Sequence, residues 1–175
     1  MAVGDARGEA PVEYPVVFSL QKHVAGNGFL AEVNVSCWSL LSFDNNDKEW
    51  WAFGVRPDGF AASGASWNEA YLNFRIELIR VLIDSAVLTD GFDAFKADVE
   101  TVMGQTHEEA LRRWTEARQR VREGHPIEDA TLAELPRVAK AVEPSIVVRR
   151  LDTGTHLFVP SENRAPEAPQ LMDAA

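Results

Sequence analysis

The chain has 175 residues, 46% of them hydrophobic, and a formal charge of −10, enough apolar content for one sizeable core and too acidic a balance for a general nucleic-acid binder. The single cysteine, Cys37, excludes an internal disulfide and a zinc site built from cysteines, and fits a reducing compartment. No window approaches the roughly 18 apolar residues of a membrane span, and Met1 to Ala10 carries Asp5, Arg7 and Glu9 without an apolar run, so a soluble cytoplasmic protein without a secretory signal is expected.

In chain order, Val16 to Leu20 reads as a strand, and Ala25-Gly26-Asn27-Gly28 supplies residues that tolerate positive φ, which predicts an N-terminal hairpin. Residues 29–43 alternate at period two. Phe29, Ala31, Val33, Val35, Cys37, Leu41 and Phe43 share one face, and Glu32, Asn34, Ser36 and Ser42 lie opposite. Trp38 and Leu40 interrupt the polar face, which signals a bend or a cover on both sides. A turn over Asp44 to Glu49 returns the chain into a strand with Trp51, Phe53 and Val55 on one side, and Pro57-Asp58-Gly59 turns it again. The simplest arrangement is an antiparallel meander of about four strands.

A helix follows, opened by a capping box of Ser66 and Glu69. Trp67, Tyr71, Phe74, Leu78 and Leu82 form one stripe suited to a sheet face, and Ile76, Ile79 and Ile83 form a second beside it. Two stripes imply burial on two sides, by later helices or by a second subunit, and a homodimer is expected. Phe92, Phe95, Val99 and Val102 keep helical spacing up to Gly104. Thr106 and Glu109 repeat the capping box before Leu111, Trp114, Arg118 and Val121, and Gly124 and Pro126 end that helix. A third, shorter helix is read from Leu132, Leu135, Val138 and Val142. Residues 145–159 read as a hairpin, with Ile146-Val147-Val148 and Leu157-Phe158-Val159 flanking Asp152-Thr153-Gly154. The fold class is therefore α+β: the four-stranded meander packed by a capped amphipathic helix over residues 1–88, a helical extension with a hairpin over 89–159, and a disordered tail over 160–175.

Motifs that carry chemistry mostly fail on their spacing. The four histidines, His23, His107, His125 and His156, are far apart, and the helical zinc pattern begun by His107-Glu108 needs a second histidine where Leu111 stands. Asp44, Asp47 and Glu49 cluster as carboxylates, but lack the glycine and terminal glutamate of a calcium loop and suit a hairpin turn. There is no Gly-x-Ser-x-Gly elbow and no phosphate loop. Arg112, Arg113, Arg118, Arg120 and Arg122 alternate with Glu108, Glu109, Glu116 and Glu123, the pattern of a solvated helix held by i,i+4 pairs. A helix-turn-helix over Leu132 to Leu151, with Arg137, Lys140, Arg149 and Arg150 on phosphate, is opposed by Pro144 and by the β-branched run Ile146 to Val148. No catalytic, cofactor-binding or metal-binding residue is assigned, and no cofactor is expected.

The acidity is uneven: residues 1–106 hold 7 basic and 15 acidic side chains, whereas residues 107–150 hold 9 and 8. An acidic first part repels polyanions and suits a basic protein partner. The order Trp50-Trp51-Ala52, Pro57-Asp58-Gly59, Ala62-Ser63-Gly64 and Ser66-Trp67-Asn68-Glu69-Ala70, within residues 44–86, resembles the HicB-like antitoxin superfamily. The resemblance implies a partial ribonuclease-H-like sheet with a helix against it, without nuclease activity, that masks a small basic toxin ribonuclease and self-associates. Members usually also carry a C-terminal DNA-binding segment, which this chain does not display. The leading expectation is a non-catalytic antitoxin-like protein whose acidic face occupies a basic partner, at contact residues the sequence does not specify. A stand-alone immunity or assembly protein of the same fold is the alternative, and a metal-dependent nuclease using Asp44, Asp47 and Glu49 is third.

Overall fold

A computed structural model describes residues 12–138, 142–152 and 169–172. Strands β1 (Glu13–Gly26) and β2 (Phe29–Asp44) form one long antiparallel hairpin, in unbroken register from Glu13 opposite Ser42 to Gly26 opposite Phe29. Gly28, at φ 78°, supplies the left-handed residue that its tight turn needs. β3 (Glu49–Arg56) returns along the second half of β2, and β4 (Ala61–Gly64) pairs with β3, as the meander predicts. Gly54 allows this last turn, because its N–H donates to the Phe60 carbonyl at 2.8 Å and a Cβ there would collide with the Pro57 carbonyl oxygen.

Three later strands join the same sheet. β5 (Arg137–Val138) pairs in parallel with β7 (Gln170–Met172), and β7 in turn pairs antiparallel with β1. β6 (Ser145–Arg150) pairs antiparallel with the first half of β2, Val33 meeting Val148. The order is β4-β3-β2-β1-β7-β5, with β6 and β3 sharing one edge of β2. The strand expected at 145–148 therefore exists, but its partner is β2, where Val148 completes an apolar row; Leu157 to Val159 lie outside the described residues. Gln170 to Met172 also departs from the expected tail, since Leu171 and Met172 are large apolar side chains and both are fully buried.

Helices cover both faces of the sheet. α1 (Trp67–Leu88) and α2 (Phe92–Gly104) lie on one face, where Trp67, Tyr71, Phe74, Leu78 and Leu82 join Phe18, Val33, Val35, Cys37, Phe95 and Met103 in the main core. α3 (Glu108–Arg122) lies on the other, packing Ala110, Trp114 and Ala117 against Val17, Leu40, Val55 and Met172. Trp38 and Leu40 interrupt the polar face of β2 because α3 covers it there. Ser66 caps α1 as expected, its Oγ accepting from Glu69 N–H at 3.2 Å, but the Glu69 carboxylate reaches Ala65 N–H at 2.9 Å and not Ser66. α3 starts one residue later than its capping box implies: His107 is the cap, and its Nδ1 accepts from Ala110 N–H at 3.0 Å. The third helix shrinks to one turn, α4 (Ala130–Ala133), capped by Asp129. Pro136, which lacks an N–H, follows, and Val138 becomes strand. No helix among the described residues is long and apolar enough to cross a membrane.

Candidate functional site

α1 is apolar on both sides, and among the described residues only one side is covered. The inner stripe predicted from the sequence is buried, Phe74, Leu78 and Leu82 completely. On the opposite side Leu72, Ile76 and Ile83 are 44–45% exposed, Val87 70% and Leu88 82%, with Ile79 half-buried between them. Leu72, Ile76, Ile79, Ile83 and Val87 follow one another at steps of three and four, so they form a continuous ridge along the outer side of the helix, and Leu88 adds an exposed side chain at its end. Later helices do not cover it: α2 sits beside α1 over the sheet, and α3 is on the far face.

Polar groups beside the ridge are held in place. Arg80 donates to Glu77 at 2.6 Å, and Arg75 lies over the Tyr71 ring, 5.7 Å from its centre, and donates to the Tyr71 hydroxyl at 3.0 Å. Thr89 ends the helix by donating both its N–H and its hydroxyl to the Ser85 carbonyl. Residues 67–104 carry seven carboxylates against three cations, so the layer that presents the ridge is acidic. Such a surface can bind another protein: apolar contact supplies affinity, and the field of the carboxylates favours a basic counterpart.

The far face of the sheet is different. Trp38 and Trp114 stack at 4.5 Å with planes 13° apart, Trp51 stacks on Phe53, and Arg113 and Arg118 lie over Phe53 and Trp114. Trp38 Nε1 donates to the Val142 carbonyl at 2.7 Å, and Arg113 is bound to the Glu13 carboxylate, which holds the guanidinium above its ordinary range. Beyond the stack the surface turns polar. Glu32 accepts from Asn34 at 2.8 Å and from Gln21 at 3.0 Å, with His23 Nε2 at 3.3 Å. Burial pushes the Glu32 carboxyl up, but these three hydrogen bonds outweigh it and leave the group below its ordinary value.

No family model, curated protein or solved structure matches this chain. The chemistry must therefore be read from its own residues. Asp44 is engaged in its turn, its Oδ1 accepting from Asn46 N–H at 2.8 Å while its carbonyl accepts from Lys48 N–H. Glu49 is the cross-strand partner of Asp44, and Asp47 is exposed at the tip. Among the described residues no three His, Cys, Asp or Glu side chains gather as a metal site. Cys37 is 1% exposed, and burial pushes its thiol up to about 12, so it is neither a nucleophile nor a ligand at neutral pH. His107 is a helix cap, His23 and His125 stand against Glu32 and Glu123, and His156 lies outside the described residues. On α3, Arg112 bridges Glu109 and Glu116, as the mixed charge pattern predicts. The sequence reading does not single out Trp38 with Trp114 as a pair; the signal was a large aromatic on the otherwise polar face of β2.

Proposed function

We propose that this chain is a non-catalytic protein-binding module of antitoxin type, which docks and masks a basic partner on the outer surface of α1 and α2. The observation that supports this reading is the ridge of Leu72, Ile76, Ile83 and Val87, exposed within an acidic layer. The helix that presents it is anchored by its inner stripe in the core, so the partner meets a preformed surface and little ordering cost opposes binding. Carboxylates around the ridge speed encounter with a basic surface, and the apolar side chains slow its departure. A second copy of the chain is the competing occupant, because the ridge runs most of the length of a 22-residue helix.

Two measurements separate these outcomes. Light scattering on the purified protein should return about 19.4 kDa if the ridge is reserved for a different protein; twice that mass, reduced to one chain by Ile76→Asp with Ile83→Asp, would assign the ridge to a homodimer. The same double variant should fail to retain the basic protein that the wild-type chain captures from its native cells, and the wild-type association rate should fall as salt rises, since exposed charges are screened beyond about 10 Å at 0.1 M. Unaltered capture by the double variant, or an acidic captured protein, overturns the proposal.

A further inference from the structure

We infer that the chain modifies itself at the turn between β3 and β4: the Gly59 amide nitrogen attacks the Asp58 side-chain carboxyl and converts Asp58 to an isoaspartyl residue. Asp58 Oδ1 accepts the N–H of Gly59, the residue directly after it, at 2.5 Å. The carbon one bond behind that oxygen is therefore held beside the nitrogen that must reach it, and such a prearranged approach speeds an intramolecular reaction. Gly59 supplies the access. It is exposed, it has no side chain, and beyond its chain neighbours no described residue comes within 4 Å of where a Cβ would stand.

The step balances with water alone. The Gly59 nitrogen forms a bond to Asp58 Cγ, and its proton leaves with the hydroxyl of the protonated carboxyl as water, which closes a succinimide ring. A water molecule then opens the ring at either carbonyl. One opening restores aspartate; the other sends the main chain through the side-chain carbons and leaves the former backbone carbonyl as a free carboxylate. The product is an isomer of the original chain, and nothing is oxidised or reduced.

The same chain holds a matched reference. Asp58-Gly59-Phe60 recurs as Asp90-Gly91-Phe92 between α1 and α2, so the two aspartates are followed by the same residues. Their surroundings differ. Asp90 is exposed, and among the described residues its carboxylate accepts no hydrogen bond from Gly91 N–H, whereas Asp58 is half-buried and accepts from Gly59. The backbone of Asp58 is also tied down, its N–H donating to the Gln105 carbonyl at 3.0 Å. Where the change falls gives it a structural effect. Gln105, and His107 through its N–H to the Val55 carbonyl at 3.1 Å, join this part of the sheet to the start of α3. An isoaspartyl residue lengthens the main chain there by a methylene and so alters the support on which α3 begins.

Peptide mapping of the aged full chain tests this, because aspartyl and isoaspartyl peptides of equal mass separate by chromatography and fragment differently on electron transfer. The native protein is incubated at neutral pH, beside a sample in concentrated urea that serves as the unfolded reference. In the native chain Asp58 should isomerise faster than Asp90 by about tenfold or more. In urea, where only the local sequence acts, the two rates should converge. Absence of isoaspartate at Asp58, equal native rates at the two positions, or a preference for Asp58 that persists undiminished in urea overturns the proposal.

Discussion

Replacing Phe74 by alanine separates the inner and outer sides of α1 more sharply than any other single change. The ring is fully buried and meets Phe18 edge-on, with centroids 5.8 Å apart and planes at 82°, and Phe18 meets Tyr71 in the same way at 5.4 Å. Removing it costs about 3–5 kcal/mol as lost transfer energy and residual cavity, to which the aromatic pair contributes roughly 0.5–1.5 kcal/mol. The hole would lie between a helix and a hydrogen-bonded sheet, neither of which collapses easily, so a loss of about 4 kcal/mol is expected. With a urea slope of about 2 kcal/mol per molar, the unfolding midpoint followed by circular dichroism should fall by about 2 M at unchanged slope. Ile76→Ala, on the outer side at 45% exposure, should change stability by about 0.5 kcal/mol or less. Equal shifts for the two variants would refute the assignment of the two sides and remove the ridge with it.

Glu32 makes the fold sensitive to acid. Its native carboxyl lies below the ordinary 4.5, with Gln21, Asn34 and His23 outweighing burial, so its contribution is present above about pH 4.5 and is lost as pH falls through the lower native value. Glu32→Gln should therefore lose less stability than the wild type between about pH 5 and about pH 3, and identical acid profiles would sink this attribution. Cys37, buried with its thiol pushed up to about 12, should not react with a disulfide reagent at neutral pH in the native protein and should release one thiol on unfolding; rapid native reaction would contradict its place in the core.

What the sequence discloses and what it conceals divide along the range of the interactions involved. The cap at Ser66, the inner stripe of α1 and the alternation of β2 are local patterns, and each appears in the structure where its residues place it. Trp38 and Leu40 gave the alternatives of a bend or a double cover; the cover is there, as α3, while β2 runs as one strand in unbroken register with β1. The pairing of β6 is long-range. Ile146 to Val148 carry strand propensity, but nothing in those residues names β2 over the nearer Leu157 to Val159. Leu171 and Met172 are hidden by their Pro- and Glu-rich surroundings, and only β1 and β5 make them strand. The exposed ridge was legible as a second apolar stripe, whereas the stacking of Trp114 on Trp38 joins a helix and a strand from distant parts of the chain.

The divided edge of β2 has a consequence for how the protein comes into being. During synthesis the β1–β2 hairpin and β3 emerge first and can pair at once, but the stretch from Ala31 to Ser36 remains an unpaired edge until Ser145 to Arg150 have been made. The row at Val16 and Val17 waits longer still, for Gln170 and Leu171. Until then the nascent chain displays strand edges backed by Val33, Val35 and Phe18, a template for pairing with neighbouring chains on the same messenger. Expression yield should consequently depend on how quickly the final third of the chain follows the first. A chain cut before Ser145 would accumulate as aggregate even though α1 and the whole N-terminal meander were intact.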